Sequence, residues 1–460
     1  MKREEKIKQN MTKGAVLPLL ITFAIPVFIG NIVQQIYTLA DSIIVGQYLG
    51  NRSLAAVGAT NSLVYLILGC ANGVAGGFAV CTAQAFGSGD RKRLRKYTAL
   101  ITKYCVVFSA VVTVLMLVVN KPVLRLMNTP ESILGEAADY LSVIYMGIMV
   151  SVGLNAMLAI LRSIGDSRTG LFLLAGSSVL NIGLDMFFVA VCKMGVTGAA
   201  LATVLSQLFV AAICLWYIWK HYEMLHFTRA DLTEDSQCFL ALMKNGLPMG
   251  FQVSITAAAT MIIQVALNKC DTDCITAFTI CTRIQNILTQ TFNAIGMAVA
   301  TFTGQNFGSR DFVRIRKGVQ TAVLASLVCA AACIGLTLLF LDPVIGLFGD
   351  EVTEEIVSYC HTFMNCCMAG YVPLSLLFVY RNALQGMGYG IVTLMGGACE
   401  LIARALVVAV LAAPFGYGGI CWGHTAAWTL ALLPLIPFYY LWAIRRKDIL
   451  ENHGGNINER

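Results

Sequence analysis

Charge is what this sequence has least of. Only 12% of its 460 residues are Asp, Glu, Lys or Arg, while 57% are hydrophobic; a soluble domain carries about 25% charged residues. That deficit excludes a water-soluble globule, because no fold of this length hides so much apolar surface, and lipid must be the solvent for most of the chain. Histidine is also scarce, at five residues. His221, His226 and His453 lie in or near polar segments, and His361 and His424 stand isolated. No nucleophile–base set can be built from them, which argues against an enzyme. Cysteine, by contrast, is plentiful at sixteen, but Cys105, Cys214, Cys329 and Cys333 sit in apolar runs, where Cys acts as a small hydrophobe. The loop Cys270-Asp271-Thr272-Asp273-Cys274 has no His nearby, and a closed metal site wants about four ligands. No metal or other cofactor is expected.

Apolar runs long enough to cross a bilayer, about 20 residues, fall near 15–46, 54–81, 97–120, 138–161, 169–192 and 196–219. A second set lies near 240–268, 274–303, 318–341, 356–380, 391–413 and 418–443. The basic stretch from Met1 to Lys13 resembles a signal-peptide start, but the apolar run after it is too long, so it reads as a retained first helix. Twelve spans put both termini on one side. The net charge of +7 is distributed as membrane orientation requires, not as a nucleic-acid surface. One set of alternate segments carries Lys2, Arg3, Lys6, Lys8 and Lys13, then Arg91, Lys92, Arg93, Arg95 and Lys96. It continues with Arg310, Arg314, Arg316 and Lys317, then Arg445, Arg446 and Lys447. The other set offers Arg52, Lys121, Arg125, Lys193 and Lys269. By the positive-inside rule both termini are expected in the cytoplasm, with the protein multi-pass in the cell membrane.

The chain also repeats itself. Gln84-Ala-Phe86-Gly87-Ser88-Gly-Asp90 and Gln305-Asn-Phe307-Gly308-Ser309-Arg-Asp311 are 221 residues apart, each followed by a basic cluster. Pro26 pairs with Pro248, Leu161 with Leu384, Gly165 with Gly388 and Gly198 with Gly419, at offsets of 221 to 223. Such a run indicates duplication. The expected fold is an all-α integral membrane protein with 12 transmembrane helices in two six-helix lobes, related by a pseudo-two-fold axis along the membrane normal. The lobes are expected at 1–219 and 239–460, joined by a polar cytoplasmic linker at 220–238 that includes Glu234. Two lobes of this kind suit alternating access.

An ionisable group at membrane depth costs at least about 2.5–3.5 kcal/mol on insertion scales. Asp41, Asp185, Arg283, Glu400 and Arg404 are the ones that stand out. Asp41, Asp185 and Thr203 fall at one depth, roughly 10–12 Å below the outer boundary at about 1.5 Å per residue. Asn181 precedes Asp185 by four residues, and Tyr37 and Gln34 precede Asp41 by four and seven, so each shares a helix face with its acid. Desolvation and mutual repulsion disfavour a doubly ionised pair, so the cluster is suited to taking up a proton or a cation such as Na⁺. A structural polar knot holding three spans together is the alternative. Glu400 and Arg404 have the spacing and order of an intrahelical ion pair. Arg283 has no evident partner, with Glu400 as a candidate. In span two, Gly69, Gly73 and Gly77 recur every four residues, a spacing that permits close helix contact.

Taken together, the twelve spans, Pro26…Tyr37…Asp41, the twin Gln-x-Phe-Gly loops, Leu161-Arg162-Ser163-x-Gly165-Asp166 and Asn181-x-x-x-Asp185 resemble the multidrug and toxic compound extrusion (MATE) family. The likeness extends over nearly the whole chain, closest to its DinF-like and MepA-like branches. The resemblance implies a secondary active antiporter that exports cationic and amphipathic drugs, a cause of antibiotic resistance, in exchange for H⁺ or Na⁺. It places the coupling cation at Asp41, Asn181, Asp185 and Thr203, with Gln34, Tyr37, Asn155, Arg283, Glu400 and Arg404 as substrate-cleft or supporting residues. Another branch carries an acid on span seven, which here reads Pro248-Met-Gly-Phe-Gln252-Val-Ser254-Ile-Thr256 without a carboxylate. Coupling is therefore expected in the N-terminal lobe. The expected partners are small organic cations or drugs and the lipid bilayer, with no nucleic acid, the chain acting as a monomer. A flippase for lipid-linked oligosaccharides, from the same wider exporter group, is the rival reading.

Overall fold

Lipid offers no partner to a backbone N–H or C=O, so a spanning chain must close its hydrogen bonds inside helices or a closed barrel. The structure, a computed structural model, describes residues 10–444 apart from 128, 234, 347 and 349–352, and every regular element among them is helical. Lys2, Arg3, Lys6, Lys8, Glu234, Arg445, Arg446, Lys447 and His453 lie outside the described residues.

The long helices, in order, are α1 (Val16–Gly87), α2 (Arg91–Leu126), α3 (Glu131–Met146), α4 (Ile148–Ser163), α5 (Ser167–Asp185) and α6 (Val196–His221). They continue as α7 (Ser236–Leu267), α8 (Thr272–Gly308), α9 (Phe312–Gly346), α10 (Glu354–Gly386) and α11 (Gly390–Phe438). Eight helices among the described residues are long and apolar enough to cross a membrane, or nine when the bent α3–α4 pair counts as one span. Two of these are double: α1 breaks at Gly50 (φ 81°, ψ 177°) and α11 at Gly416 (φ 53°, ψ −131°). Both breaks use the positive φ that glycine adopts without a Cβ clash. Counting both halves of each, and adding the 37-residue α8, gives the twelve spans. α8 is less apolar than the others because Thr, Asn, Gln and Arg283 punctuate its sequence.

Two compact units emerge, one holding Ile25–Gly250 and the other Met11–Ala24 with Phe251 onward. The divisions fall inside α1 and α7, close to Pro26 and Pro248. Proline lacks the N–H that a helical hydrogen bond needs, so these are local weak points. The polar segment at 220–238 lies within the first unit and is more than a tether. Its 3₁₀ turns Glu223–Leu225 and Arg229–Leu232 bring Tyr222 and Leu225 into that unit's core beside Leu100, Leu161 and Cys214.

Within the first unit, α1 and α7 touch backbone to backbone. A Cβ on Gly77 would lie 2.5 Å from the Asn245 carbonyl oxygen, and one on Gly73 would lie 2.8 Å from that of Met249. The contact is reciprocal: a Cβ on Gly246 would strike the Phe78 ring at 2.3 Å, and one on Gly250 would strike Val74 at 2.6 Å. Two Gly-x-x-x-Gly faces therefore meet, each removing the side chain that would hold the other helix away. The same unit is pinned at one end by Asp166, buried at 4% exposure. Its Oδ1 accepts from Thr169 N at 3.0 Å to cap α5, and its Oδ2 accepts from the Tyr222 hydroxyl at 2.6 Å. Tyr222 lies just past the end of α6, and burial followed by the Asp166 charge holds its hydroxyl well above the usual phenol range.

In the second unit, α8 and α11 both pack on α10. The Gln-x-Phe-Gly motif there has a mechanical role. Gln305 Oε1 accepts from Met11 N at 2.9 Å. The Met11 carbonyl accepts from Asn306 Nδ2 at 3.2 Å and from Arg314 Nη2 at 3.1 Å. Gln305, Asn306 and Met11 are all fully buried, so the motif clamps the chain just before α1 begins.

Overpacking a helix crossing costs about 1–3 kcal/mol and sometimes more, so Gly77→Val should lower the melting temperature and the monodisperse yield in detergent. Gly76→Ala, whose Cβ would meet only Met249 Cε at 3.6 Å, should leave both unchanged. Tyr222→Phe leaves the buried Asp166 Oδ2 without its donor, a loss of about 1–3 kcal/mol, readable as a lowered thermal midpoint.

Candidate functional site

Three helices of the first unit carry the polar groups. The stripe Gln34, Tyr37 and Asp41 runs down α1, Asn181 and Asp185 end α5, and Thr203 lies on α6. Past Asp185 the chain winds as a π-helical turn, Met186–Val191, a local irregularity often found at functional positions. Asn181 and Asp185 are buried, the latter completely. Asp41 and Asp185 lie close enough to act on each other electrostatically. Asn181 Nδ2 donates to Thr203 Oγ1 at 3.4 Å, which aims its amide oxygen away from that bond. Four buried oxygens result, Asp41 Oδ1, Asn181 Oδ1 and both of Asp185, none with a hydrogen-bond donor.

Ionised carboxylates only accept hydrogen bonds, so two of them face to face need a shared proton or a cation between them. Oxygen donors of this kind suit a proton or a hard cation and do not suit a soft metal. Gln34, Tyr37, Asn155, Asn181 and Thr203 line one cavity of about 40 Å³, together with Ser178, Ser206 and Gln207. One water needs about 10–15 Å³, so this space takes a few waters or a small ion and excludes a drug. On the other side of the acids the packing is apolar. Ile44 and Val45 on α1, Val189 after α5, and Ala199 and Ala200 on α6 form one buried cluster. On each of the three helices this cluster lies about one turn from the polar group, toward the break at Gly50 and the loop at 192–195. The acids thus have apolar packing at that end, while Tyr37, Asn181 and Thr203 of their own cluster line the polar cavity.

Sequence reasoning missed Tyr140. This residue, 9% exposed on α3, belongs to the same apolar cluster and lies within electrostatic reach of Asp41, Tyr37 and Asp185. It is one aromatic among several in an apolar span, and no spacing marks it as the one turned toward the acids. Gln207, which accepts from Ser151 Oγ, was equally invisible.

The remaining site residues belong to the second unit. Glu400 is 2% exposed and Arg404 4%, and their expected pairing is long, 4.0 Å between Arg404 Nη2 and Glu400 Oε2. The tighter partner is Arg381 on α10, whose Nη2 donates to Glu400 Oε1. Arg404 Nη1 also donates to the Thr256 carbonyl at 3.5 Å. Gln252 completes the group: its Oε1 accepts from Gln385 Nε2 at 3.0 Å, and turned over it accepts from Arg381 Nε and Nη1 at 3.1 and 3.2 Å. Glu400 is therefore not the partner of Arg283. Its two oxygens face guanidinium groups from α10 and α11, while Arg283 is exposed on α8 and joins no ion pair among the described residues. Thr279, Arg283 and Asn286 form one exposed polar stripe, and at membrane depth such a stripe requires water or polar surroundings.

A family model described as MatE matches residues 26–187 and 248–411, one segment in each half of the duplication. A Bacillus subtilis protein named probable multidrug resistance protein YpnP is 30% identical over 310 residues, 66% of this chain and 68% of its own length. A second from the same organism, probable multidrug resistance protein YoeA, is 22% identical over 459 residues, 97% of this chain and 98% of its own. Among solved structures, an outward-facing multidrug resistance MATE family transporter of the MOP superfamily superposes with a TM-score of 0.86, covering 96% of this chain and 98% of that one at 22% identity. The last likeness shows the fold, which is that of the twelve-helix, two-lobe transporters. With the family model matched in both halves, the chain belongs to the MatE family of multidrug and toxic compound extrusion transporters.

Proposed function

We propose that the protein is a secondary active multidrug exporter, exchanging cationic or amphipathic compounds for H⁺ or Na⁺ by alternating access. The observation that carries this reading is the pair of facing carboxyls, Asp41 and Asp185, whose buried oxygens have no donor. A proton or Na⁺ entering between them cancels their repulsion and draws α1 toward α5, with Asn181 and Thr203 supplying further oxygens. Loss of that ion lets the helices separate. One ligand thereby favours one arrangement of α1 over another, which is what coupling requires. The cavity of about 40 Å³ lined by Gln34, Tyr37, Asn181 and Thr203 admits waters or a small ion and leaves the drug to bind elsewhere. The names of the two Bacillus subtilis relatives support multidrug export, and the charge asymmetry of the loops supports a cell-membrane protein with both termini in the cytoplasm. A monomer suffices, since every group of the coupling site comes from one unit of one chain.

In proteoliposomes loaded with a cationic dye, an imposed pH gradient or Na⁺ gradient, applied separately, should drive dye movement in the wild-type protein. Asp41→Asn and Asp185→Asn should each reduce gradient-driven transport to background while the purified variants stay monodisperse. Full transport by Asp41→Asn would sink the proposal. Glu400→Gln should behave differently. Breaking a buried ion pair costs about 3–5 kcal/mol because it leaves charge uncompensated, and here Arg381 and Arg404 would both lose their carboxylate. Its signature should be a lowered melting temperature and poor yield, not a stable but uncoupled protein.

A further inference from the structure

The second unit contains an apolar cavity that the coupling site does not use. It encloses about 670 Å³ between α7 and the broken region of α11, within the range of about 300–1,000 Å³ typical of ligand pockets. The hollow has a local cause. Gly416 turns the chain out of helical geometry, and a Cβ on Gly419 would lie 2.1 Å from the Leu411 carbonyl oxygen, so the chain folds back tightly there. On the cavity side, Ala412 and Ala413 present only methyl groups, facing Met261, Val265 and Ala266 of α7. Small residues at a helix break leave space that the neighbouring helix does not fill.

Depth and chemistry limit what can occupy it. From Met261 to Lys269 the lining follows α7 for roughly 12 Å at about 1.5 Å per residue, close to half of a hydrocarbon core about 30 Å thick. Lys269, just past the end of α7, is the single charged residue among the lining residues. The profile is that of one membrane leaflet: an ammonium at the level of the headgroups and an apolar channel below it. A cationic drug would find no carboxylate and no aromatic ring in this lining, and would meet a like charge at the mouth. A small soluble anion would find no donor below Lys269.

We propose that this cavity binds one phospholipid of the surrounding bilayer, an acyl chain along Met261, Val265 and Ala412 and its phosphate on the Lys269 ammonium. The long stem of lysine lets the charge reach the interface while its methylenes stay on apolar surface. The bound chain would fill the break in α11 and support the close contact between Leu411 and Gly419.

Native mass spectrometry of the full-length protein in mild detergent tests this, with phosphatidylglycerol as the probe and diacylglycerol as its phosphate-free counterpart. One phosphatidylglycerol per chain should survive activation that strips diacylglycerol. Lys269→Glu should abolish that preference, and Ala412→Phe should remove the retained lipid by filling the space. If Ala412→Phe does not purify, Lys269→Glu, on a loop outside the helices, keeps the test decisive. Equal retention of the two lipids, an unchanged phosphatidylglycerol adduct in Lys269→Glu, or displacement of the lipid by a cationic dye would each overturn the proposal.

Discussion

Everything in this molecule follows from a solvent that accepts no hydrogen bonds. Lipid forces each backbone amide into a helix, and without water there is no hydrophobic drive to press those helices together. Contact must then come from shape. The α1–α7 crossing shows how: Gly73 and Gly77 on one side, Gly246 and Gly250 on the other, bring two main chains close enough for dispersion to act over the whole interface. The same solvent turns polar side chains away from itself, so the oxygens of Asp41, Asn181 and Asp185 converge by exclusion as much as by attraction.

On the proposed coupling, α1 becomes a lever. It carries Asp41 near the break at Gly50, and Pro26 further back, while the residues before Pro26 belong to the second unit. Just ahead of that segment Met11 is held by Gln305, Asn306 and Arg314. A force applied at Asp41 therefore acts on a helix interrupted at Gly50 and weakened at Pro26. The apolar layer of Ile44, Val45, Val189 and Ala199 adds direction. On that proposal an ion does not cross the layer without local separation of α1, α5 and α6, whereas the polar cavity is lined by Gln34, Tyr37 and Asn181, on the other side.

Much of this was legible in the sequence, for reasons that differ from residue to residue. The helices could be read because lipid makes the apolar run obligatory, and the duplication because Gln84/Gln305 and Phe86/Phe307 keep step. Equal depth and helical spacing grouped Asp41, Asn181, Asp185 and Thr203, and Gln34, Tyr37 and Asn155 line the adjoining cavity. Depth is a one-dimensional measure, however, and azimuth is not contained in it. That is why Tyr140 escaped notice, and why Glu400 was assigned its neighbour in sequence, Arg404, when the closer guanidinium is Arg381 from another helix. The compact units follow a different rule from the polar segment. Polarity marks where a chain meets water, while compactness follows packing, and Tyr222 and Leu225 are polar-segment residues that pack.

The two units bury acids under opposite terms, and the proposed coupling rests on that difference. In the second unit, Glu400 faces two guanidinium groups, with Gln252 and the Thr256 carbonyl satisfying part of what remains. An added cation there would compete with charges already fixed by the fold, and protonating Glu400 would strand both arginines. In the first unit no guanidinium or ammonium group among the described residues acts on the pair, and the donor-poor oxygens of Asp41 and Asp185 face each other. On the proposed coupling, a mobile cation balances them. On that proposal the duplicated backbone has diverged through its counter-charges: covalently attached in one unit, where they lock three helices together, and diffusible in the other.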